Sequence, residues 1–252
     1  MSFARISFMI FAFGAGMRLI NRGFQAGFLR KARNTNRTLP KYEENNMKRC
    51  VIVGAAKIAD YKTIKSFLRA DDFFAVCDGG LFHCEPLGIQ PDLVVGDFDS
   101  HEMIHSNVET ILLPRAKDDT DSVFAVKEAL KRGFCDFVLI GAAGGRLDHT
   151  LVNISVLLML HKLNKTAVLI DDYSEMQIAG QSETFIADSY SYFSLLNIGS
   201  DAKGVTIKNA KFTLNDAQIT LDYQYATSNE VLRGKTASVF VKSGCLLLIK
   251  VR

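Results

Sequence analysis

The chain predicts an α/β catalytic domain built on a parallel sheet, followed by an all-β sandwich. Three observations carry this. Between 49 and 170, short apolar runs ending at Gly or Asp alternate with helical patterns, as in a parallel sheet covered on both faces. From about 173 helical periodicity fades, and short alternating segments punctuated by Gly, Asn, Asp and Ser take over, as in an antiparallel sandwich. The composition, 252 residues with 48% hydrophobic and 23% charged, fits one large or two smaller globular domains and excludes whole-chain disorder or a collagen-like structure.

Taken in order, residues 1–46 form an extension. Phe8 to Met17 is an apolar run flanked by Arg5 and Arg18, too short for a bilayer span of about 20 residues. It resembles a signal-peptide core without a small-x-small cleavage site, and its Arg-rich, acid-poor setting also resembles a transit peptide. Met47 opens Met-Lys-Arg-Cys-Val-Ile-Val-Gly, which reads as a start leading straight into a first strand. The extension is therefore expected to be disordered, misassigned or a targeting segment, with 34–40 a flexible linker.

The catalytic domain is expected over 47–173. Cys50 to Gly54 is the first strand, a helix follows around 60–69, and Phe73 to Cys77 is the second strand. Asp92 to Gly96 and Thr110 to Pro114 are the third and fourth. Asp121 to Lys131 is helical, with Val123, Phe124, Val126 and Leu130 at the right spacing. Phe137 to Ile140 is a fifth strand, 147–163 a long helix, and Ala167 to Ile170 a sixth strand. The sandwich, 174–252, shows strand patterns at Tyr192 to Leu196, Val205 to Lys208, Ala237 to Val241 and Leu246 to Ile249.

Charge and cysteine usage narrow the function classes. Of 30 basic and 27 acidic residues, the extension holds eight Lys/Arg against Glu43 and Glu44, which leaves 47–252 with 22 and 25, a net of −3. A mildly acidic body argues against nucleic-acid binding by phosphate neutralisation. The five cysteines, Cys50, Cys77, Cys84, Cys135 and Cys245, include no C-x-x-C pair. They read as reduced thiols in a cytoplasmic protein, with Cys50, Cys77 and Cys245 in apolar, strand-like runs. No membrane or nucleic-acid partner is expected.

The chemistry concentrates in four groups at strand ends, the edge that forms the ligand crevice of an open parallel sheet. They are Asp78-Gly79-Gly80, Gly96-Asp97-Phe98-Asp99-Ser100, Lys117-Asp118-Asp119-Thr120-Asp121 and Gly144-Gly145-Arg146-Leu147-Asp148-His149. Asp97 and Asp99, two residues apart in an extended turn, place like charges about 6–7 Å apart, which calls for a cation between them. Asp121 offers a third oxygen. Hard carboxylate oxygens suit Mg²⁺ shared with substrate phosphates. Lys117 and Arg146 can neutralise phosphate charge, the glycines at 79–80 and 144–145 let a ligand approach the backbone, and the helix starts near 120 and 147 offer N–H groups. Each Asp taken singly also has a structural reading as a strand end or cap. His101 and His105 read as a solvated helix face, and Gly234-Lys235-Thr236 as a loop, since it opens no helix.

These motifs, in this order, resemble the thiamin pyrophosphokinase family, over about 48–252. Ser228-Asn229-Glu230 is similar to its thiamine-binding signature. The resemblance implies a homodimer with thiamine held between the catalytic domain of one subunit and the β-domain of the other. It implies Asp97, Asp99 and Asp121 as Mg²⁺ ligands, and Asp118 as a nearby support or substrate contact. Asp78, Gly79, Lys117, Thr120, Arg146 and Asp148 would line the ATP and diphosphate site, and Ser228 and Asn229 would contact thiamine. The implied reaction is diphosphate transfer from ATP to thiamine. A Mg-dependent phosphohydrolase and a non-catalytic thiamine or nucleotide sensor are the rivals. One departure stands out: the chain has no Trp, so a Tyr or Phe must replace the aromatic that some members stack on the substrate.

Overall fold

The computed structural model describes residues 49–98, 108–114 and 118–252. The extension, His101 and His105, and the site candidates Asp99 and Lys117 lie outside the described residues.

A nine-stranded sheet organises the molecule. Strands β1 (Arg49–Val53), β2 (Phe73–Cys77), β3 (Leu93–Gly96), β4 (Glu109–Leu112), β5 (Asp136–Ile140) and β6 (Thr166–Ile170) pair in parallel in the order β4-β3-β2-β1-β5-β6. The order reverses between β1 and β5, which makes their carboxyl ends a topological switch point. Residues alternate between two covered faces. Cys50 and Ile52 pack beneath helices α3 (Asp121–Lys131) and α4 (Leu147–Lys162), through Ala125, Val126, Val156 and Leu157. Val51 and Val53 pack on the other face with Ile64 of α1 (Tyr61–Lys65) and Leu87 of α2 (Cys84–Leu87). Burial of β1, β3 and most of β5 on both faces accounts for their unbroken apolar runs.

The six expected parallel strands are all present. The helix expected over 60–69 is shorter and ends at Lys65. Beyond it the Phe67 carbonyl accepts a hydrogen bond from Arg49 at 2.7 Å, and Arg49 also grips the buried Asp72 at 2.7 and 2.8 Å. The 3-10 segment Asp78–His83 and helix α2, which follow β2, leave no periodic signal because neither exceeds about two turns.

The sandwich grows out of the same sheet. β7 (Ser174–Ala179), β13 (Leu246–Val251) and β9 (Tyr192–Leu196) continue it in antiparallel pairing from β6, with Leu169 opposite Met176. The strand direction thus switches where the sequence texture changes. A second, antiparallel sheet has the order β11-β10-β12-β8, from β8 (Thr184–Ala187), β10 (Ala202–Lys208), β11 (Leu214–Ile219) and β12 (Thr236–Ser243). Phe193, Leu195, Leu246 and Leu248 of the large sheet bury against Ile186, Val205, Ile207, Val239 and Val241 of the small one. The five cysteines are free thiols. Burial pushes Cys50 up to about 12, which fits an inert apolar role. Cys245 lies in the turn before β13 and not in a strand. Gly234-Lys235 precede β12 and open no helix. Among the described residues, no helix is long and apolar enough to cross a membrane.

Candidate active site

A cavity of about 400 Å³ opens at the switch point, within the size range of small-ligand clefts. Its walls come from three strand ends and two helix starts. Gly54 to Lys57 follow β1, Cys77 and Gly79 close β2, and Gly141, Ala142 and Gly144 to Arg146 follow β5. Thr120 to Ser122 begin α3, while His149 and Asn153 lie on α4.

Close backbone approach assembles the floor. A Cβ added to Gly54 would lie 2.4 Å from the Gly141 carbonyl oxygen, and one on Gly141 would lie 2.6 Å from that of Gly54. Only glycine at both positions lets the β1 and β5 exits touch. A Cβ on Gly96 would lie 2.3 Å from Asp78 Cβ, so the Asp78 and Gly96-Asp97 groups are brought side by side at the β2 and β3 ends. Gly79 and Gly80 are constrained by packing, and Gly79 is also open to the cavity. Cβ atoms there would meet Ala55 Cβ at 2.7 Å and the Val53 oxygen at 2.4 Å. Gly144 and Gly145 keep open space around them at φ of 99° and 65°, a backbone that glycine adopts at little cost.

The helix starts carry polar groups on fixed backbone. Thr120 is the N-cap of α3 and accepts from Val123 N at 3.4 Å. Its hydroxyl meets Ser122 Oγ at 3.1 Å, Ser122 donates to Asn153 Oδ1 at 2.7 Å, and Asn153 Nδ2 donates to the Ala142 carbonyl at 2.7 Å. This chain ties α3, α4 and the β5 loop together beside Asp121, which is half-buried in the first turn of α3. Arg146, at the N-cap of α4, pairs with Asp148 at 2.5 and 3.2 Å on the exposed rim. The guanidinium's hydrogen bonds hold the Asp148 carboxyl below its ordinary range. Such an exposed pair contributes little to stability, so Arg146 can exchange it for a phosphate at small cost.

The structure thus brings Gly79, Thr120, Asp121 and Arg146 to one cavity, with Asp148 paired to Arg146 at its rim. Asp78 is buried at the β2 end, Asp97 is half-buried after β3, and Asp118 is exposed just before α3. Among the described residues no cluster of three or more His, Cys, Asp or Glu side chains forms a metal site; Asp99, the third member of the expected trio, lies outside them. The sequence reading missed Lys57, Ser122, Asn153 and the role of Gly141. A polar Asn inside the apolar run Leu151 to Leu158 was the available signal for Asn153.

Ser228 and Asn229 lie apart from this cavity, in the loop after β11. Ser228 is exposed at φ 53°, and its backbone N–H donates to Ser194 Oγ at 3.0 Å. Asn229 is 3% exposed. Its Oδ1 accepts from Phe212 N at 3.0 Å and Glu230 N at 2.9 Å, while its Nδ2 donates to the Phe212 carbonyl at 2.7 Å. The amide therefore pins two loops together, beside the exposed rings of Phe212 and Tyr192.

Comparison with known proteins follows the same division. The model of the thiamin pyrophosphokinase catalytic domain matches residues 64–169, and that of the family's vitamin B1 binding domain matches 181–246. A thiamine pyrophosphokinase of Bacillus subtilis (strain 168) is 31% identical over 171 residues, covering 65% of this chain and 79% of that protein. The chain belongs to the thiamine pyrophosphokinase family. The crystal structure of the Bacillus subtilis enzyme superposes with a TM-score of 0.73 at 25% identity, over 81% of this chain and 99% of that one. Yeast thiamin pyrophosphokinase shares the fold, with a TM-score of 0.66 at 13% identity over 84% of this chain and 88% of that one. The family's two-part arrangement is the α/β sheet and antiparallel sandwich described above.

Proposed function

We propose that the chain is a thiamine diphosphokinase whose nucleotide phosphates occupy the switch-point cavity. The observation that carries the placement is the convergence of Gly144, Gly145, Arg146 and the starts of α3 and α4 on one cavity at the carboxyl ends of β1 and β5. The thiamine hydroxyl oxygen attacks the β-phosphorus of ATP, the bond to the α-phosphate oxygen breaks, and AMP leaves with that oxygen. Transfers of this kind depend on positioning and charge stabilisation more than on covalent work by the protein. Arg146, released from Asp148, would hold the moving diphosphate bidentately. Thr120 and the Ser122–Asn153 chain would fix the first turn of α3, and with it the Asp121 carboxylate. Asp118 is the candidate to accept the hydroxyl proton.

Asp97 and Asp121 present carboxylate oxygens, the donor type that suits a hard divalent cation; we assign them to Mg²⁺ together with Asp99. Bound there, Mg²⁺ would offset negative charge on the phosphate oxygens. Thiamine is placed at the sandwich, where Ser228 presents its hydroxyl and Phe212 or Tyr192 would supply the stacking ring in place of Trp. A homodimer would bring that surface to a partner's cavity, and the reading includes a cytoplasmic location. The test is incubation with ATP, Mg²⁺ and thiamine. AMP formed one-for-one with thiamine diphosphate is the expected result. Phosphate or diphosphate released without thiamine would establish a hydrolase instead, and binding without any product would establish a sensor.

A further inference from the structure

The cavity holds a second cation besides Arg146. Lys57 lies on the loop between β1 and α1, exposed and lining the cavity that also holds Arg146. Arg146 is committed to Asp148. Among the described residues, Lys57 makes no ion pair or hydrogen bond. An ammonium in a cleft, without an ion-pair partner of its own, attracts anions.

The backbone on both sides of Lys57 is held. Ala56 N donates to the Gly141 carbonyl at 2.8 Å, and the Ala56 carbonyl accepts from Nε2 of the buried His83 at 3.0 Å. That bond leaves His83 Nδ1 to accept from the Tyr61 hydroxyl at 2.8 Å. On the far side, Ala59 N and Asp60 N each donate to the Asp172 carboxylate at 2.9 Å. The anchors come from the β5 exit, the turn after β2 and the end of β6. They fix where the lysine stem starts and leave its ammonium to the cavity. A charge mounted on fixed backbone needs little reorganisation when a ligand arrives.

We propose that Lys57 binds the phosphate chain of the nucleotide, reaching it from the β1 loop while Arg146 reaches it from the β5 loop. This rests on the reading of the cavity as the nucleotide site. The test compares Lys57→Gln and Lys57→Arg with the wild type and with Lys62→Gln, an exposed lysine on α1. Calorimetry measures Kd for a non-hydrolysable ATP analogue and for adenosine, and steady-state assays give KM for ATP and for thiamine. For Lys57→Gln, the analogue Kd and the ATP KM should rise at least about tenfold, the loss of one charge-assisted contact. Adenosine Kd and thiamine KM should stay within about twofold, Lys57→Arg should recover most of the loss, and Lys62→Gln should match the wild type. Unchanged analogue binding in Lys57→Gln, or equal losses for analogue and adenosine, would overturn the assignment. A wild-type chain that binds no analogue would overturn the nucleotide reading of the cavity itself and this proposal with it, a result distinct from a Lys57 failure.

Discussion

In the parallel half of the described chain, β1 and most of β5 are buried on both faces, and polar side chains are pushed out to the strand ends. In the antiparallel half burial alternates, as in β9, where Tyr192 is exposed, Phe193 buried, Ser194 intermediate and Leu195 buried. The polar loop residues of the two halves have different duties. Asn197, Asn209 and Asn229 donate their side-chain amides to the backbone carbonyls of Ile219, Thr236 and Phe212. At the parallel strand ends, by contrast, Gly54 and Gly141 let the β1 and β5 exits touch, and the side chains that tie the loops come from His83, Asn153 and Asp172 elsewhere in the fold, so Lys57, and Arg146 in its exposed pair with Asp148, face the cavity. Loops tied by side chains from elsewhere in the fold leave their own side chains for chemistry, whereas loops tied by their own asparagines do not.

Four changes would test this contrast. The largest concerns the buried Arg49–Asp72 pair at the base of the parallel half, whose side chains are 9% and 0% exposed. Asp72→Ala strands a buried guanidinium and should cost about 3–5 kcal/mol in urea unfolding; a cost below about 1 kcal/mol would show that this half is held otherwise. Asp121→Asn should leave the urea midpoint near that of the wild type while cutting turnover at least about 10²-fold. Near-normal turnover with unchanged metal dependence would remove Asp121 from the site. Asn229→Ala should lower stability by about 1–3 kcal/mol, because it orphans the Phe212 backbone. A fully stable Asn229→Ala protein with a raised thiamine KM would make that amide a substrate contact and erase the distinction between the halves.

The smallest effect is set by pH. Burial holds the His83 imidazole below its ordinary range, against the opposing pull of its bond to Ala56. In the unfolded chain it titrates near ~6.5. Between the folded and unfolded values the unfolded state binds more protons, so this contribution is present above about 6.5 and is lost as pH falls through the folded value. The urea midpoint should therefore drop from pH 7.5 to 5.5, and drop less in His83→Gln. Equal drops in the two proteins would contradict this role for His83.

Much of this was legible from local pattern. Apolar runs ending at Gly or Asp located β1, β2, β3, β5 and β6, and one ending at Pro114 located β4; the strand-end rule pointed to the edge where the cavity opens. The same rule applied to the first strand would have reached Lys57, but Gly-Ala-Ala-Lys has no acidic motif to draw attention. What stayed hidden depends on partners far along the chain. Gly79 packs on Ala55, Ser122 bonds to Asn153 across 31 positions, and Glu175 can sit buried in β7 because Lys250 and Tyr190 pair with it. Neither β7 nor the joining of β13 to the catalytic sheet shows in the periodicity of either segment.

The location of the nucleotide decides the rest. A crystal structure with a non-hydrolysable ATP analogue, Mg²⁺ and thiamine should place the phosphates among Lys57, Gly144, Gly145 and Arg146. Phosphates bound between the two sheets of the sandwich, or at any site away from the β1 and β5 exits, would contradict the account.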